Sequence, residues 1–165
     1  GGAKSIAALS ALLADEKLGD YARSGLESMA DPGAGAALRR ALATLSGRQL
    51  AGAINSLGVR RDAAAVAELR KLALASNPDS APAAVTALGL IGNADAAQAL
   101  QAVLENGPAE LRLPAAHASI VAAEQLAKGG NAAAARKLLE TSTKAVPSGP
   151  SAEAARRAVA SLPKR

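Results

Sequence analysis

The chain has 165 residues, of which 46 are alanine and 23 leucine, so two residue types set its character. Cysteine is absent, His117 is the only histidine and Tyr21 the only aromatic residue, which excludes a disulfide framework, a thiolate metal site, a cysteine nucleophile and a histidine-rich metal centre within one chain. The 19 basic and 14 acidic residues leave a net charge of +5, a mild excess that permits an anionic partner without specifying one.

Alanine is the strongest helix former, and contacts lined with it let helices approach closely. With only 34 Leu, Ile, Val and Phe residues in the chain, the expectation is an all-α protein with a thin core. Gly1 and Gly2 read as a scar or linker ahead of an excised piece of a larger protein. After them the apolar periodicity predicts ten helices in five antiparallel pairs: 4–14 with 18–29, 32–45 with 48–58, 63–75 with 80–91, 94–105 with 111–128, and 132–144 with 151–161. Clear breaks fall at Asn77-Pro78-Asp79 and at Pro147-Ser148-Gly149-Pro150. Pro114 either starts the eighth helix or kinks it. No apolar run reaches the roughly 18 residues of a membrane-spanning helix.

A repeat joins these elements. Leu26, Leu57, Leu88 and Leu126 are each followed five residues later by Asp31, Asp62, Asn93 or Asn131, and seven residues beyond each of those stands Leu38, Leu69, Leu100 or Leu138. The anchors are spaced 31, 31 and 38 residues apart. Asp and Asn accept hydrogen bonds from a helix's free first-turn N–H groups, so all four are expected helix caps, with Pro32 fitting the first helical position after Asp31. Gly58 and Gly92 are expected to stop the preceding helices. Upstream of the leucines runs an apolar stripe, as in Leu50, Ala53 and Ile54, into which Ser119 intrudes in the fourth copy. A helix pair of this kind buries its apolar faces only by stacking on its neighbours, which predicts an α-solenoid forming one domain over residues 1–165.

The run Ala87-Leu88-Gly89-Leu90-Ile91-Gly92-Asn93, the downstream Ala99 to Leu104 and the near-31-residue period resemble HEAT-like repeats of the phycobilisome-lyase type over residues 18–130. The last hairpin, 131–165, departs from that pattern. Ala123 to Asn131 followed by Ala135, Leu138 and Leu139 is similar to a tetratricopeptide hairpin without its signature aromatics. The segments Ala22-Arg23 and Ile54 to Asp62 resemble helical-repeat regions of large bacterial proteins, several of them exported and carrying dehydrogenase-like or sugar-hydrolase-like domains. The resemblance implies a bacterial accessory region, outside the cytoplasm if it follows those exported examples, and assigns it no catalysis.

Two surfaces stand out in the register. Two residues before each leucine lie Ser24, Asn55, Thr86 and Glu124, which stacking aligns on the second-helix face, the face such arrays often use for binding. Arg39 and Arg70 share the position eight beyond the anchor, and Arg40 and Lys71 the next, so stacking would set them side by side as a basic ridge able to meet phosphates. Further doublets are Arg60-Arg61, Arg136-Lys137, Arg156-Arg157 and Lys164-Arg165. The ridge is interrupted by Gln101 and Ala102 in the third copy and by Leu139 and Glu140 in the fourth, and it lacks stacking aromatics, which disfavours nucleic acid against a solvated face or an acidic protein. His117, amid alanines with no partner carboxylate at helical spacing, reads as structural or solvent-facing, and Tyr21 as a partly buried packing residue. Gly33 and Gly35 make no phosphate loop, having no preceding strand and no Lys-Ser/Thr.

The sequence therefore predicts a non-catalytic interaction module that needs no cofactor or metal and presents its surface to an unknown protein or to a neighbouring domain of its parent chain. The alternative is an accessory region that positions a neighbouring enzyme domain. A bilin-lyase-like enzyme, as the resembled family's name suggests, and a nucleic-acid binder are less favoured, the former for want of an aromatic-lined site for a large conjugated ligand.

Overall fold

The computed structural model describes residues 2–75 and 77–163; Gly1 and the Lys164-Arg165 doublet lie outside the described residues. Among the described residues ten α-helices follow one another: α1 (Ala3–Ala11), α2 (Gly19–Ser28), α3 (Pro32–Ala41), α4 (Gly47–Val59), α5 (Val66–Leu74), α6 (Ser80–Ile91), α7 (Ala94–Asn106), α8 (Arg112–Lys128), α9 (Ala132–Ala145) and α10 (Pro150–Ser161). Short 3₁₀ turns, Ala63–Ala65 and Ala109–Leu111, lead into α5 and α8. No strand occurs among the described residues, and none of their helices is long and apolar enough to cross a membrane.

The expected helices are all present, and the largest boundary differences have one cause. α3 stops at Ala41 rather than at 45 because the Leu42, Ala43 and Thr44 N–H groups bond to the carbonyls three residues back, at Arg39, Arg40 and Ala41. Such bonds tighten a last turn into 3₁₀ geometry. α1 ends the same way, with Leu12 on Leu9 and Leu13 on Ser10. Pro114 sits in the first turn of α8, where its missing N–H costs no intrahelical bond, so it starts the helix and does not kink it.

Three of the four anchors hold first-turn N–H groups. The Asp31 carboxylate accepts from Gly33 N–H at 2.8 Å, the Asn93 side chain from Ala96 N–H at 2.8 Å and the Asn131 side chain from Ala134 N–H at 3.2 Å. Asp62 does not cap. Its side chain makes no bond to the following turn and instead receives the Arg39 guanidinium of the preceding pair, a charged donor that outcompetes a neutral amide. Gly58 also departs from expectation. It lies inside α4, which runs on to Val59 and turns at Arg61, where φ is +50°. There Asp62 N–H bonds to Leu57 O and Arg61 N–H to Gly58 O, a C-terminal pattern repeated by Asn131 on Leu126 and Gly130 on Ala127. Gly92, at φ +59°, does end α6.

The helices form two layers. The even-numbered helices stack on one another from α2 to α10, while α1 packs on α3, α5 on α7 and α7 on α9. Between the layers lie the repeat leucines. Leu26, Leu57, Leu88, Leu38, Leu69, Leu100 and Leu138 are wholly buried and Leu126 nearly so. Ser119 is buried beside them without penalty, because its hydroxyl donates to Ala115 O at 2.7 Å. Close approach within the even layer depends on glycine. A Cβ on Gly58 would lie 2.8 Å from Ala87 Cα, and one on Gly89 would lie 3.0 Å from Ala118 Cα. At the far end α10 turns Ala152 and Ala155 inward and leaves Glu153, Arg156 and Arg157 exposed.

Candidate partner surface

The even-helix layer carries the expected row. Ser24, Asn55, Thr86 and Glu124 are all exposed, one on each of α2, α4, α6 and α8. They have apolar neighbours that the periodicity did not single out: Val59 is 58% exposed and Val121 39%. Between α6 and α8 opens a groove of about 330 Å³ lined by Thr86, Leu90, Pro114, His117, Ala118 and Val121. Thr86 alone of the row lines this groove, while Ser24, Asn55 and Glu124 lie outside it on α2, α4 and α8. Its hydroxyl donates to Pro82 O at 3.1 Å, which leaves the oxygen's lone pairs available as an acceptor. His117 is exposed on the groove wall, in keeping with a solvent-facing role. The groove is concave, mostly apolar and marked by a few polar groups, a form suited to receiving a side chain of a partner.

Charged residues between the first pairs are engaged in holding the stack together. Arg23 of α2 donates from one guanidinium nitrogen to Glu27 at 3.1 Å and to Ser56 of α4 at 2.7 Å, and the buried Ser56 hydroxyl donates to the same Glu27 oxygen at 2.6 Å. Arg48 reaches back to Asp20 at 3.0 Å. Arg60 donates to the carbonyls of Leu26, Glu27, Met29 and Asp31, satisfying the open C-terminal end of α2 with a cation from the next pair. All of these bonds except Arg23 to Glu27 cross a repeat boundary, so local spacing carries no sign of them.

The basic ridge does not assemble as expected. Arg39 is committed to Asp62, and Lys71 pairs with Glu68 at 2.9 Å. α3 and α5 barely touch, so the two doublets are not laid side by side. Arg40 and Arg70 remain exposed, Arg40 at the rim of a separate groove between α1 and α3. Tyr21 is not partly buried. It is 78% exposed, because no helix covers its side of α2.

These stacked helix pairs, with their leucine and Asx register, match a family described as HEAT repeats over residues 37–120. The chain belongs to the HEAT-repeat family. The matched HEAT segment runs from α3 into α8 and takes in the groove except Val121, and two members of the exposed row, Asn55 and Thr86. No curated protein matches the sequence.

Proposed function

We propose that this chain is a non-catalytic protein-interaction module whose partner lies along the even-numbered helices, with a partner side chain seated in the groove between α6 and α8. The observation that carries this reading is the coincidence on one face of the exposed row Ser24, Asn55, Thr86 and Glu124, the exposed Val59 and Val121, and the groove. Polar residues beside exposed apolar ones are the composition of a protein-binding patch. The even helices also pack on one another more extensively than the odd ones do. A stack bends toward its more closely spaced layer, and HEAT arrays and their relatives use such concave faces to bind protein.

The test places a photo-crosslinking amino acid at Asn55 or Thr86, and for comparison at Glu105 or Lys137 on the odd helices, in an extract of the source cells. Adducts to one discrete protein from Asn55 and Thr86 alone support the assignment. Adducts from Glu105 and Lys137 alone overturn it.

A further inference from the structure

The charge of the chain is unevenly spread. Residues 1–127 hold eleven basic and twelve acidic residues, a net of −1, whereas residues 128–165 hold eight basic and two acidic, a net of +6. The ion pairs are distributed the opposite way. All five found among the described residues join side chains within residues 20–71, so among those residues no cation of α9 or α10 has a carboxylate within 4.0 Å. Lys137 and Lys144 of α9 and Arg156 and Arg157 of α10 are exposed. Like charges gathered on one helix pair repel one another, and an anionic partner relieves that repulsion.

Part of this charge converges on one place. A groove of about 340 Å³ between α9 and α10 is lined by Glu140, Thr143, Lys144, Arg156 and Val159. Lys144 and Arg156 reach it from opposite helices. Arg156 Nη2 donates to Pro147 O at 2.7 Å in the loop between the two helices, which holds the guanidinium in place and leaves its other N–H groups open to a carboxylate. The Thr143 hydroxyl donates to Leu139 O at 2.8 Å, so the lining between the cations is mainly apolar.

Three observations distinguish among anions. Glu140 lines the same groove and Glu153 is exposed on α10, which repels a continuous chain of phosphates, whereas a polypeptide can set its carboxylates beside the cations and away from both. Tyr21, on α2, is the only aromatic residue of the chain, so the pair offers no platform on which bases could stack. The large apolar side chains exposed among the described residues, Leu18, Tyr21, Val59, Leu113 and Val121, all lie elsewhere, which leaves α9 and α10 nothing to insert into a lipid surface.

We propose that the α9–α10 pair docks an acidic polypeptide segment, with one apolar side chain seated against Val159 and flanking carboxylates paired with Lys144 and Arg156. This surface is separate from the groove between α6 and α8 and needs no partner there.

The probe is a fluorescein-labelled peptide of glutamate and aspartate around one central leucine, titrated with the whole chain and read by anisotropy. It should bind at low salt, several-fold more weakly at physiological ionic strength, and several-fold more weakly again when its leucine is replaced by alanine. Lys144→Glu with Arg156→Glu should lower the affinity by about tenfold, since two rim pairs are reversed. Lys144→Gln with Arg156→Gln should lower it less. Arg40→Glu with Arg70→Glu makes the same change in net charge and should leave the affinity within about twofold. All these side chains are exposed, so helical circular dichroism should be unchanged in every variant. An equal loss from the Arg40 and Arg70 reversal overturns the proposal, because net charge alone would then account for binding. Absence of binding at low salt does so too. Tighter binding to duplex DNA or to phosphatidylserine vesicles, lost on the Lys144 and Arg156 reversal, also overturns it by assigning the surface to another anion.

Discussion

Gly58→Ala tests the packing of the even layer, because two physical effects of opposite sign compete at that residue. Gly58 lies inside α4, where replacing glycine by alanine ordinarily stabilises a helix by about 1 kcal/mol. The new Cβ, however, would stand 2.8 Å from Ala87 Cα and 3.0 Å from Ala87 Cβ. Carbon atoms rest at about 3.5–4.0 Å, so α4 and α6 would have to part by roughly 1 Å. The obstructing atom is backbone and cannot rotate away. Overpacking of this kind costs about 1–3 kcal/mol, and the rigid neighbour places it near the upper end. The net expectation is a loss of about 2 kcal/mol, or about 4–8 °C in Tm for a chain of this size. Urea unfolding followed by helical circular dichroism, at an unchanged denaturant slope, measures it. A variant more stable than the parent by the full propensity gain would refute the close α4–α6 contact.

Four further outcomes are expected. Leu57→Ala should cost about 2–5 kcal/mol in urea unfolding, since Leu57 is wholly buried between the layers; an unchanged midpoint would remove it from the core. Asp62→Ala and Arg39→Gln should each cost about 1–2 kcal/mol and less than additively together, because they share one charge-assisted bond across a repeat boundary; strict additivity in the double-mutant cycle would deny the pair. The Asp15 carboxylate accepts the Leu18 and Lys17 N–H groups, which lowers its pKa, so its stabilising contribution is present above the unfolded value of about 3.9 and fades as pH falls through the lower folded value; the difference in Tm between the parent and Asp15→Ala should therefore narrow below about pH 4, and a constant difference down to pH 2 would contradict this. Fluorescence anisotropy with duplex DNA at low salt should show no binding, as Arg39 and Lys71 are already paired; binding that weakens steeply with salt would restore the basic ridge.

The fold was legible because the leucine and Asx spacing is local and dense. Each Leu26-type residue and each Leu38-type residue lies on a helix that its own neighbours specify, and the eight helices from α2 to α9 follow from that alone. The misreadings concern contacts between repeats. Asp62 looks equivalent to Asp31, Asn93 and Asn131 along the chain, and only the fold brings Arg39, 23 residues earlier, against it. Gly58 and Gly92 both read as helix stops, yet Gly92 turns the chain while Gly58 makes room for Ala87. The row Ser24, Asn55, Thr86 and Glu124 was legible as a register position, whereas the groove beside Thr86 depends on how α6 and α8 sit together. Tyr21 was misplaced because a lone aromatic suggests burial, and nothing local tells which side of α2 lacks a neighbour.

The uneven anchor spacing has a consequence for how such a protein can change. Asn131 follows Asn93 by 38 residues rather than 31, and α8 has 17 residues against 12 in α6. The added length lies at the N-terminal end of α8, where Arg112 stands fourteen residues before Leu126 whereas Ser80 stands eight before Leu88, so the leucine and the turn after it keep their register. Leu126 stays turned inward, and Ala115, Ser119 and Ala122 continue the same buried line along the longer helix. Lengthening at that end enlarges the solvent-facing side of one repeat while its neighbours keep their contacts. The reach of the proposed partner surface can thus evolve by insertion, independently of the core that supports it.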